Sequence, residues 1–305
     1  MRRCCLFLLL FISLSIFSQT DYGWWNQKHQ WDGKTSWIQY LKYSSKYFGP
    51  NALPVPENIK GTAGDISFIE LNSAIHLSKG DKTQDGGYNV AFNLFKNYVT
   101  VQVFGTLVEH YKMDTITLDE RACRNFSGEG YAMGDVNIST IIQIVRESNF
   151  PDVAVRANLR TASGGKIEDA RYTDAPGYYF DLSMGKTLIL NSKCFDKIRI
   201  YGYGGFYCWE NHYVEKRQDD AYMYSLGFDL IRSQNLLFSN EIAGYSGADY
   251  NGDKPLIYRT SLKYKSSNRL FYIQYYRGFR DYTYQSIRVG LQFLFNLPAP
   301  KSVAQ

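Results

Sequence analysis

The sequence predicts an all-β chain: a transmembrane antiparallel β-barrel of about twelve strands, preceded by a short N-terminal helix. Three observations predict it. Apolar residues recur at every second position through most of the chain, and the connections between those stretches alternate long and short. Beyond the N-terminus, no run approaches the roughly 20 apolar residues that a spanning helix requires. Composition agrees: the 305 residues include 26 Tyr, 19 Phe and 5 Trp, yet the mean hydropathy is −0.34. With 45% hydrophobic and 21% charged residues the chain must bury surface, which excludes a disordered protein. Lys+Arg 34 against Asp+Glu 29 gives +5 with the signs interleaved, so no basic stripe marks a nucleic-acid partner.

The elements follow in order. Met1-Arg2-Arg3 is basic, Leu6 to Phe17 is apolar and Ser18 is small, so residues 1–18 read as a signal peptide that is removed on export. Cys4 and Cys5 leave with it. Cys123, Cys194 and Cys208 remain, too few and too widely spaced for a disulfide framework or a Cys-x-x-Cys metal site. Cys194 and Cys208 would stand near opposite ends of one strand, beyond disulfide reach, which leaves Cys123 with Cys208 as the pair that could bridge. No metal and no cofactor is expected.

Residues 19–63 differ from the rest, holding Trp24, Trp25, Trp31 and Trp37 and then Pro50, Pro54 and Pro56. Ser36-x-x-Gln39 is a capping-box pattern, and Trp37, Tyr40, Leu41, Ser44 and Phe48 keep helical spacing until Gly49-Pro50. The expectation is a short amphipathic helix followed by a Pro-rich linker. The aromatic face of that helix could cap a core, lie at a membrane interface, or enter a barrel and plug it.

From residue 64 to 297 the period is two. Val153, Val155, Ala157 and Leu159 alternate with Asp152, Ala154, Arg156, Asn158 and Arg160, and Ile287, Val289, Leu291, Phe293 and Phe295 alternate with mostly polar residues. Strands are expected near 65–77, 87–95, 98–111, 131–145, 152–162, 176–188, 196–208, 220–232, 234–246, 255–265, 268–279 and 282–296, leaving 298–305 as a tail. Mostly long connections, Ser78 to Gly86 first among them, alternate with mostly short ones. A soluble β-sandwich would alternate too, but with shorter strands and less regular loops. Tyr207, Trp209, Tyr222, Tyr258 and Tyr282 fall beside the long loops, where a membrane's water interface favours Tyr and Trp.

At this point the chain resembles Gram-negative outer-membrane β-barrel proteins. The resemblance rests on the signal peptide, the even alternating strands and the aromatic closing strand Ile287 to Phe295, and it covers residues 64–296. It is one of architecture, without a specific motif. Many such proteins end on the closing aromatic, whereas here Asn296 to Gln305 follow. The resemblance implies an outer-membrane location, contact with outer-membrane lipid and with the insertion machinery, and passage of a small solute.

If the apolar alternates face lipid, the others line a lumen: Glu70, Asn72, His76, Arg156, Arg160, Asp181, Arg199, Asp229, Glu241, Arg259, Lys263 and Arg288. Either these charges pair across strands and fill the space, or they line an aqueous path. The expected function is a channel or transporter for a small solute. The alternative is a structural or assembly component without an open pore, and a barrel-embedded lipid hydrolase stands behind both. His76 with Ser78 nearby has the residue types of hydrolysis but no matched set, so no catalytic residue is assigned. Gly244-Tyr245-Ser246-Gly247-Ala248 departs from the nucleophile-elbow pattern, and Asp249 to Asp253 lacks the Gly and Glu of a calcium loop and reads as a turn.

Overall fold

A computed structural model describes residues 21–95, 98–146, 148–190, 192–233 and 235–297. The expected signal peptide and the 298–305 tail lie outside the described residues. The chain divides into two compact units at Trp37/Ile38. In the first, α1 (Gly23–Lys28) follows Asp21, whose carboxylate accepts from the Gly23 amide at 2.8 Å. A turn follows in which Asp32 accepts from Lys34 and Thr35.

The second unit is a closed antiparallel barrel. Its strands are β1 (Ser67–Ser78), β2 (Asp81–Leu94), β3 (Val99–Met113), β5 (Val136–Val145), β6 (Asp152–Arg160), β7 (Gly177–Ile189), β8 (Lys197–Glu210), β9 (Gln218–Arg232), β10 (Leu236–Gly247), β11 (Leu256–Ser266), β12 (Arg269–Arg280) and β13 (Gln285–Phe295). The short β4 (Glu129–Ala132) pairs only with one end of β3. Closure is made by β1 on β13, in register from Ser67↔Phe295 to Leu77↔Gln285. Every sheet edge of the wall is thereby paired except at its rims.

Alternation sets the two faces. On β7, Tyr178, Phe180, Leu182 and Met184 are exposed while Tyr179, Asp181 and Ser183 are buried. On β1, Ile69, Leu71, Ile75 and Leu77 are exposed while Glu70 and His76 are buried. Apolar residues on the outside and charges on the inside invert the order of a water-soluble protein, and hydrocarbon is the surrounding that satisfies both faces.

One end of the barrel, here the loop end, carries the connections 114–135, 161–176, 211–217, 248–255 and 281–284. The opposite turn end carries 95–98, 146–151, 190–196, 233–235 and 267–268. One connection differs from expectation. The stretch Ser78 to Gly86 is not a long loop, because the strands turn at Lys79-Gly80 and β2 begins at Asp81. Its run Asp81-Lys82-Thr83-Gln84-Asp85 looks like a loop because both faces are polar, the inward residues being committed to a buried charge network.

The expected amphipathic helix over residues 37–48 does not form. A single 3-10 turn, Trp37–Tyr40, is followed by irregular chain. The backbone there makes isolated turn bonds, such as the Phe48 amide to Ser44 O, and otherwise bonds to loops, with the Lys46 amide donating to Gly252 O and the Gly49 amide to Ala170 O. Nor is the Pro-rich stretch a free linker: Ala52, Leu53, Val55 and Asn58 are all buried.

Candidate functional site: the occupied lumen

The interior of the barrel is occupied by its own chain. Beginning at the loop end, Tyr213 donates to Leu41 O at 2.7 Å, Trp209 Nε1 to Tyr43 O at 3.1 Å, and Ser44 Oγ to Asn251 O at 3.1 Å. From Pro50 the chain runs inward, and wall side chains satisfy it one residue at a time. Asn51 donates to Asp85 (2.7 Å) and Glu109 (2.9 Å), Arg160 donates to Ala52 O, and Tyr245 donates to Leu53 O at 2.9 Å. Arg259 reaches both Val55 O and Pro56 O, the latter also accepting from Tyr203 at 3.0 Å.

Toward the turn end, Asn58 meets Ser225 at 2.6 Å, and Lys60 donates to Asp229 at 2.7 Å while its carbonyl accepts from Arg199 at 2.7 Å. Gln143 clamps Gly61 O and the Ala63 amide, Thr100 donates to Ala63 O, and Asn93 donates to Gly64 O at 2.9 Å. These partners come from eight barrel strands. Pro50, Pro54 and Pro56 suit the path because each removes an N–H that would otherwise need a partner. Leu53 and Val55 pack into an apolar cluster with Tyr179, Tyr203, Tyr207, Trp209 and Tyr245. Gly61 is required where the segment touches the wall: its φ is +77°, and a Cβ would stand 2.6 Å from the Gly185 amide nitrogen.

Beside the segment remains a cavity of about 610 Å³. Of the residues expected to line a lumen, Glu70, Asn72, His76, Arg156, Arg160, Arg199, Asp229, Arg259, Lys263 and Arg288 border it. Asp181 and Glu241 stand behind, paired with Arg156 at 2.7 Å and with Arg259 at 3.4 Å. Several of the cations are not free lining: Arg160, Arg199 and Arg259 hold carbonyls of the segment, and Arg288 lies 3.5 Å from the Glu57 carboxylate.

Toward the loop end the interior is a closed ion network. Asp81 receives Arg121 and Arg171, both at 2.8 Å, and Tyr284 at 2.6 Å, while Arg171 also reaches Glu109 at 2.7 Å. Removing one partner of such a buried set leaves an uncompensated charge. The two long loops that supply these arginines are thereby locked onto the rim.

His76 does not meet Ser78. Its ring bridges Ser286 at 2.7 Å and Asp85 at 2.8 Å. Ser286 is only 1% exposed, and this Ser-His-Asp chain links β2, β1 and β13 at the closing seam.

Three of the expected interface aromatics face the other way. Tyr207 and Trp209 are buried inside, and Tyr282 packs against the same internal cluster. β8 carries aromatics on both faces (Tyr201, Tyr203, Phe206, Tyr207 and Trp209), so its period does not say which side meets lipid. Tyr222 is exposed on the outer wall, and Tyr258 is half-buried there with its hydroxyl on Asn240. Cys123 and Cys208 are both free and buried, not bridged, and burial in its loop pushes the Cys123 thiol up to about 12. Asp249 to Asp253 forms a turn in which Asp253 accepts from the Asp249 and Tyr250 amides. Among the described residues, no group of three or more His, Cys, Asp or Glu is placed to hold a metal ion.

A closed twelve-stranded wall with a polar, partly filled interior defines a β-barrel of the outer-membrane type. Solved structures of that type superpose on it. An outer membrane channel from Pseudomonas putida F1 matches with a TM-score of 0.55 at 10% identity, covering 80% of this chain and 97% of that one. The NanC porin matches at 0.48 and 12% identity, covering 74% and 98%, and the KdgM porin at 0.45 and 12%, covering 74% and 99%. These likenesses are ones of fold. No protein-family model matches the sequence, and no curated protein sequence matches it.

Proposed function

We propose that the protein is an outer-membrane channel for a small polar solute, exported through a cleaved signal peptide and restricted by its own segment 50–64. The observation that carries this reading is the cavity of about 610 Å³, walled by polar and apolar side chains alike and bordered on one side by a segment that no backbone ladder holds. A twelve-stranded wall encloses more room than eight strands fill with side chains and less than an open porin's bore, so one extended segment is what fits in it. On this reading the long loops face outward and the chain before β1 passes through the lumen from that side.

The test is conductance of the refolded chain in planar bilayers. The mature chain is expected to conduct weakly, and a variant lacking residues 20–60 to conduct several-fold more; equal conductance of the two contradicts the reading.

The filled lumen also favours a second reading, a structural or assembly component with no open path. That protein would be silent in liposome swelling in both forms and would co-purify with a partner.

A further inference from the structure

The segment meets the wall through its backbone and uncharged side chains, with two exceptions. Lys60 sits on Asp229. Glu57 is the other, and it is the only carboxylate of the segment 50–64.

Its surroundings are those of a bound anion. The Tyr276 hydroxyl lies 3.1 Å from Glu57 Oε1 and Arg288 Nη1 lies 3.5 Å from the same oxygen. Arg259 and Lys263 border the same cavity as that carboxylate. Both guanidiniums stand over the Tyr276 ring, Arg288 at 5.1 Å and Arg259 at 5.7 Å from its centroid. The Nε atoms of Arg259 and Arg288 are buried without a hydrogen-bond partner, although Arg259 is only 5% exposed. An unpaired guanidinium N–H in such a place carries a desolvation cost that a second oxygen ligand would remove.

The neighbouring carboxylates do not supply that ligand. Asp85 is held by His76 and Asn51, Glu70 by Tyr272 and Gln292, and Glu241 by Arg259 Nη1. Glu57, Arg259, Lys263, Arg288 and Tyr276 all border the cavity, so a solute in it meets this cluster directly.

We infer that Glu57 is a tethered stand-in for the solute: Arg259, Lys263, Arg288 and Tyr276 form a binding site for the carboxylate of a small organic anion, which enters by displacing Glu57. This rests on the channel reading and gives it a substrate class and an opening step. A tethered competitor acts at an effective concentration in the millimolar range or above, so a free anion works at millimolar levels. A guanidinium suits a planar carboxylate, which takes its two parallel N–H donors, and the phenol adds one O–H donor.

The experiment titrates the full mature chain, folded in detergent, with sodium gluconate and with sorbitol, its uncharged counterpart of similar size, by calorimetry, and repeats both in bilayer conductance. Gluconate is expected to bind at millimolar concentration and to raise conductance, with sorbitol inert. Glu57→Gln, lacking the competitor, is expected to bind gluconate about tenfold tighter and to conduct without it. A Lys263→Gln, Arg288→Gln double variant is expected to bind it about tenfold weaker or worse, a loss of about 1.4 kcal/mol. Heat-modifiable mobility checks that each variant is folded, and the double variant gives a second readout if Glu57→Gln is not. Gluconate heat equal to that of sorbitol, or unchanged in both variants, overturns the inference. A chain that binds gluconate in this pattern but never conducts overturns the channel reading and leaves the site; one that conducts but ignores gluconate does the reverse.

Discussion

The wall and the segment inside it are built on opposite principles. In the wall each strand finds its hydrogen-bond partners in the backbone of the next, from β1 on β2 round to β13 on β1, and side chains are left free to sort apolar outward and polar inward. In the segment 50–64 no residue belongs to a helix or strand, and the backbone is satisfied by side chains: Arg160, Tyr245, Arg259, Tyr203, Arg199, Gln143, Thr100 and Asn93. The wall therefore tolerates change at single side chains as long as their polarity is kept. The segment depends instead on individual wall side chains.

The sharpest way to break that contrast is to remove one wall residue on which the segment depends. Arg259→Ala strands the Val55 carbonyl, leaves Pro56 O to Tyr203 alone and leaves Glu241 unpaired, at a cost of about 3–5 kcal/mol for a broken buried pair. A lower unfolding midpoint in detergent, together with higher bilayer conductance, is expected. A wall-side change should act differently. Leu226→Arg puts a charge on an outward position of β9 that is 67% exposed, which costs about 2–4 kcal/mol where hydrocarbon is deepest. It should reduce the heat-modifiable fraction after refolding into vesicles while leaving the conductance per inserted barrel unchanged. Smallest is Gly61→Ala, which forces a Cβ against Gly185 at a positive φ, a strain of about 1–3 kcal/mol. It should loosen the segment at the turn end only, read as a modest rise in conductance with an unaltered gel shift.

The same contrast accounts for what could be read from the sequence. Each of the twelve expected strands overlaps a strand of the wall, because a period of two is local and is imposed on every strand by the same pair of surroundings. Two local patterns are ambiguous. At Asp81 to Asp85 both faces are polar, and a strand passed for a loop; at Tyr207 and Trp209 both faces are aromatic, and interior residues passed for an interface. The segment was legible only as an irregular Pro-rich stretch. A plug was anticipated from the Trp-rich helical spacing, yet the part of the chain inside the lumen is Pro50 to Gly64, whose wall partners lie 29 to 231 residues away in sequence. Nothing periodic announces such contacts. The inward arginines were visible from strand parity, but not that their donors would be occupied by carbonyls of the same chain.

Whether the segment lies inside the barrel is measured directly by a cross-link. Asn58 and Ser225 touch side chain to side chain at 2.6 Å. In a chain whose Cys123, Cys194 and Cys208 are replaced by Ala, Asn58→Cys together with Ser225→Cys should form a disulfide on mild oxidation of the folded, membrane-inserted protein. The bridge should appear as a mobility shift that reductant reverses, and it should lower conductance. A folded barrel whose two thiols remain free and separately alkylated under the same oxidation would contradict the account.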